Sequence, residues 1–182
     1  MVREAGHSEE QGGTVMKKRT GTRAGLFIVL AIAGFALATP ARAAATRFSA
    51  HLSGKEMLPK PVDTKATGHA VFWLSKDGKE LFYRLRVRTI DNVTMAHVHM
   101  GSVDKIGLPV VQLYPTDGMM QMEKRGRFSG ILSRGKITEK SLIGPLIGKP
   151  VKALIDDIKA GKMYVIVHTA QHPDGELRGL IK

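Results

Sequence analysis

His97 and His99 stand one residue apart in the run Val93-Thr94-Met95-Ala96-His97-Val98-His99-Met100-Gly101. In an extended strand, alternate residues share a face and lie about 6.5–7 Å apart along it. Two imidazoles so placed can converge on one ion, and imidazole suits copper, zinc, iron and nickel. A third imidazole, His168, ends the strand-like run Met163-Tyr164-Val165-Ile166-Val167-His168. Glu176 opens the next run and offers a carboxylate, as a fourth ligand or as an acceptor behind the rings. A second reading stands beside this one. All three histidines would be neutral, half-buried groups hydrogen-bonded to backbone carbonyls or to Glu176, as buried polar groups usually are.

Other residues add smaller signals. Met119-Met120-Gln121-Met122 lies in a loop after Tyr114-Pro115, and Met100 follows His99 directly. Thioethers are soft ligands that favour Cu(I), so these methionines are candidate copper contacts, although methionine also serves as a flexible gap-filler. The chain has no cysteine, which excludes disulfides, thiolate metal sites and cysteine catalysis. Glu176 and Arg178 share one face of the last strand. They predict a polar lock, either as an ion pair or as an arginine fork onto a neighbouring carboxylate or carbonyl. No nucleophile elbow, zinc-protease helix, phosphate loop or dinucleotide fingerprint occurs. The adjacent Asp156-Asp157 pair diverges on its helix. The sequence therefore reads as non-enzymatic.

The elements that must position these side chains are mostly strands. Residues 47–53 and 67–74 are strand-like, and Asp77-Gly78 marks a tight turn after the second. Leu81, Tyr83, Leu85 and Val87 then alternate with Phe82, Arg84, Arg86 and Arg88, the signature of a half-buried antiparallel strand with a cationic outer face. Residues 93–99, 109–113, 126–137, 163–169 and 176–181 supply the remaining strands. Residues 93–99 count as a separate strand, with His97 and His99 on the apolar face of Val93 and Met95. Val151, Leu154, Ile155 and Ile158 follow helical spacing between Pro150 and Gly161. Short strands, frequent turns and one short helix predict an all-β antiparallel sandwich.

Residues 1–43 read differently. Lys17-Lys18-Arg19 and Arg23 precede the uncharged apolar run Leu26–Ala38, and Ala41 and Ala43 form an A-x-A cleavage pattern. This predicts a signal peptide, an exported domain over residues 44–182, and no permanent membrane anchor after cleavage. Residues 1–15, before Met16, would be an over-extended start or a longer basic region. The 28 Lys and Arg against 16 Asp and Glu give a net charge of +12. A basic exported protein adheres to anionic surfaces. No basic stripe interleaved with aromatics suggests nucleic acid.

Several motifs fall in a specific order: Leu52-Ser53-Gly54 with Glu56 and Pro59, then Thr67-Gly68-His69-Ala70, Ala96-His97-Val98-His99-Met100-Gly101, Tyr164-Val165-Ile166-Val167-His168-Thr169, and Gly175-Glu176-Leu177-Arg178-Gly179. From residue 46 to 182 the chain resembles the CHRD domain, named for chordin and common as a lone exported domain in bacteria. Leu180 stands where that family often carries Gln. The resemblance implies an immunoglobulin-like β-sandwich and brings His168 beside His97 and His99. His97-Val98-His99 with Gly101 is also similar to the copper-ligand strand of copper/zinc superoxide dismutases. Here the disulfide and the spacing of the remaining histidines are missing. The expectation is an exported binding or structural domain of the cell envelope, holding one copper ion through His97, His99 and His168. A protein- or polysaccharide-interaction module using Arg84, Arg86 and Arg88 is the first alternative, and a copper-dependent redox enzyme the second.

Overall fold

Asp77-Gly78 closes the first hairpin as its sequence demands. Gly78 has φ +73° and donates its N–H to the Ser75 carbonyl. The turn joins β2 (Thr67–Leu74) to β3 (Leu81–Ser102), and β1 (Arg47–Ser53) pairs with the other edge of β2. The computed structural model describes residues 46–116 and 124–182. The leader and the Met119–Met122 run fall outside them. Among the described residues, no helix is long and apolar enough to cross a membrane.

The alternation at the start of β3 acts as expected. Leu81, Tyr83, Leu85 and Val87 are buried, whereas Arg84, Arg86 and Arg88 are exposed. The expected break after Arg88 does not occur. The strand continues through to Ser102, with Thr89 (φ +53°) and Asn92 (φ +50°) in the left-handed region. Such residues bend a strand without ending its pairing. The two segments read as separate strands are therefore one long, irregular strand.

That continuity organises the sheet. The front of β3 pairs with β2 and with β5 (Lys124–Ile137), and its end pairs with β4 (Lys105–Tyr114) and β6 (Met163–Thr169). β7 (Leu177–Leu180) bridges β6 to β1. The path β2-β1-β7-β6-β3 returns to β2, so one seven-stranded antiparallel sheet closes into a barrel-like arrangement. The one α-helix among the described residues, α1 (Val151–Lys159), buries Val151, Leu154, Ile155 and Ile158, the four positions its spacing marked.

All seven residues of β6 are buried. Met163, Val165 and Val167 belong to the main core. Tyr164, Ile166 and His168 occupy the opposite face, where Ile166 packs near Gly175 and Met57. This second, covered face of β6 carries the candidate site.

Candidate metal centre

The outer face of β3 and β6 is set by register. Ala96, Val98 and Met100 pair with Val167, Val165 and Met163 on the core side. Met95, His97 and His99 pair with His168, Ile166 and Tyr164 on the other. The expected set Val93-Met95-His97-His99 is split. The ladder slips between Val93 and Met95, so Val93 points into the core while Met95 is 42% exposed. A bulge of one extra residue reverses the facing of everything after it. Without it His97 and His99 would point into the hydrocarbon core.

The three rings meet. Their centroids are 5.5 Å apart for His97 and His99, 5.3 Å for His97 and His168, and 5.8 Å for His99 and His168. One ring nitrogen from each lies within 4.8 Å of the others. His97 Nδ1 is 3.4 Å from His168 Nε2. Two nitrogens bound at zinc-like lengths to one tetrahedral ion stand about 3.3–3.4 Å apart, so this pair has the spacing of two ligands.

Backbone carbonyls fix two of the tautomers. His99 Nδ1 faces Gly107 O at 3.0 Å, and His168 Nδ1 faces Pro173 O at 2.9 Å. A carbonyl only accepts, so each Nδ1 carries the proton and each Nε2 presents a lone pair. His99 Nε2 is buried and has no hydrogen-bond partner among the described residues. A buried acceptor left so costs about 1–3 kcal/mol. Burial lowers all three imidazole pKa values. His97 falls furthest, to about 4, with His168 and His99 adding repulsion. For His99 and His168 the Gly107 and Pro173 carbonyls pull partly the other way. The rings are neutral at pH 7, the state a metal requires.

Glu176 is not a member of the cluster. Its Oε1 accepts from Thr64 Oγ1 at 2.7 Å and its Oε2 from Thr169 Oγ1 at 2.8 Å. Both oxygens are engaged, so the carboxylate secures the end of β6 beside His168 and does not join the rings. Arg178 forms a second lock. Nη2 donates to Ser102 O at 2.8 Å and Nη1 to Glu56 O at 3.1 Å, with the guanidinium 3.7 Å over the Tyr164 ring. The fork lands on carbonyls at the end of β3 and in the Gly54–Glu56 turn, not on Glu176. His51 and His69 stack on each other at 4.6 Å, away from the three rings.

Sequence reasoning offered backbone carbonyls as partners of the histidines but not which ones, and it missed the placement of Met95 opposite His168. The turn Pro173-Asp174-Gly175 was visible, but nothing in it marks Pro173 O as a histidine acceptor. Gly107 carries no signal at all.

Fold and site together define a mostly-β domain with a covered cluster of three imidazoles able to hold a metal ion. The chain belongs to the CHRD domain family, whose model matches residues 48–181. No curated protein and no solved structure matches it.

Proposed function

We propose that this CHRD domain binds one transition-metal ion through His97 Nδ1, His99 Nε2 and His168 Nε2. The observation that carries this reading is the buried, partnerless Nε2 of His99, whose proton is held on the far nitrogen by Gly107. A buried histidine kept only for structure usually finds partners for its ring nitrogens. The immunoglobulin-like arrangement and export by the leader belong to the same proposal. They are supported by the family and by the basic, apolar and A-x-A sequence of residues 17–43.

Copper is the ion we assign. Imidazole sites bind Cu(II) most tightly among the divalent first-row metals, and thioethers add preference for Cu(I). Met95 supplies a thioether two residues before His97 and opposite His168 in the ladder. Three protein nitrogens leave a coordination position for water or for a partner's ligand. Calorimetric titration of the metal-free protein with copper tests the reading. We expect one site, and at least about a hundredfold weaker binding in His99→Ala, the loss of one of three ligands. Equal binding by His99→Ala and the unaltered protein would overturn it.

A further inference from the structure

The front half of the sheet has an outer face of a different kind. Register places Arg47, Trp73, Phe82 and Lys136 in one row across β1, β2, β3 and β5. The next row carries Arg84 and Arg134 side by side. The two rows after that hold the His51–His69 stack with Arg86, and then Arg88. No Asp or Glu stands in these four rows. Lys136 is paired with Glu80 at 2.6 Å, but Arg47, Arg84, Arg86, Arg88 and Arg134 have no ion pair among the described residues and all are exposed.

This is more than the scattered charge of a basic protein. Like charges directly opposite across a ladder are destabilising, and Arg84–Arg134 is such a pair. Arg84, Arg86 and Arg88 repeat about every 6.6 Å along β3. A row of guanidinium forks matches carboxylate or sulfate groups carried at intervals on one polymer. The first row adds an apolar plane, since Trp73 stacks on Phe82 at 5.8 Å with 16° between rings. Aromatic planes accept the flat face of a sugar ring.

We infer that the outer face of β1-β2-β3-β5 binds an acidic polysaccharide, with the arginine row of β3 pairing its anionic groups and Trp73 packing a sugar ring. Other polyanions fit less well. An anionic membrane needs several protruding apolar residues, yet Ile131, opposite Arg86, is the one exposed large aliphatic on this face among the described residues, and the more exposed Val103, Leu108 and Ile147 lie outside it. A single-stranded nucleic acid is held by several aromatic rings that take successive bases along a groove, whereas Trp73 and Phe82 form one stacked pair at the end of the arginine row. The inference is independent of the metal reading, because the histidine cluster sits on β6 and the far end of β3.

Retention of the protein on immobilised alginate tests it, with neutral dextran, phosphatidylglycerol vesicles and an oligothymidylate as comparators. Arg84→Ser/Arg86→Ser/Arg88→Ser should weaken alginate binding about tenfold, the sum of three exposed pairs. Lys140→Ser/Lys149→Ser/Lys159→Ser, which removes the same charge from other exposed positions, should change it less than about twofold. Neither variant should melt below the parent, which separates binding from folding. Equal losses in the two triple variants would overturn the inference. So would failure of the parent to bind alginate at low salt, or tighter binding to vesicles or to the oligonucleotide.

Discussion

At the scale of residues, the decisive feature is the direction in which each ring nitrogen looks. Gly107 and Pro173 hold protons on the far sides of His99 and His168, and burial keeps the rings neutral. The sign of the resulting pH effect is defined. Histidines in the unfolded chain take up protons near the ordinary value of 6.5, whereas folded His97 does so only near about 4. The metal-free fold thus keeps this stability above pH 6.5 and loses it as pH falls from there toward 4. Thermal midpoints measured across that interval should fall with pH, and His97→Gln should flatten the slope. An unchanged slope in the variant would show that His97 is not so depressed. Met95 gives a second expectation. If its thioether joins the rings, Met95→Leu should weaken Cu(I) binding about tenfold while leaving Zn(II) binding nearly unchanged. Competition with a chromophoric chelator reads both.

At the scale of elements, the site depends on an irregular strand and a tight turn. The bulge before Met95 turns His97 and His99 away from the core, and the turn after His168 supplies the carbonyl that orients it. Gly175 makes that turn possible. Its φ is +127°, and an added Cβ would lie 2.6 Å from Met57 Cε and 2.7 Å from Ile166 Cγ2. Gly175→Ala should cost about 1–3 kcal/mol in denaturant unfolding and weaken metal binding together, because Pro173 must shift. Gly148 is the control, with φ +70° and nothing within 4 Å of the added atom. Gly148→Ala should cost only about 1 kcal/mol and leave metal binding intact.

At the scale of the whole molecule, the legible and the illegible parts of the sequence divide along one line. Local periodicity showed most of the strands and the helix, because alternation in Leu81–Arg88 and the spacing of Val151, Leu154, Ile155 and Ile158 reflect which side meets the core. The i, i+2 histidines were legible for the same reason. Features set by distant pairing were not. The fusion of two strands through Thr89–Asn92, the slip after Val93 and the closure of the sheet all depend on partners from far along the chain. The partners of Glu176, offered as a fourth ligand, an acceptor behind the rings or part of a polar lock, were not legible either, because no local rule shows Thr64 donating to it across 112 residues. The closed sheet thus gathers the imidazoles at one end of β3 and the arginines at the other.

The most direct test is anomalous diffraction from crystals grown with one equivalent of copper. A single peak should lie about 2.0–2.1 Å from His97 Nδ1, His99 Nε2 and His168 Nε2, as imidazole ligands require. A copper peak at other residues, with these three rings unbound, would contradict the account.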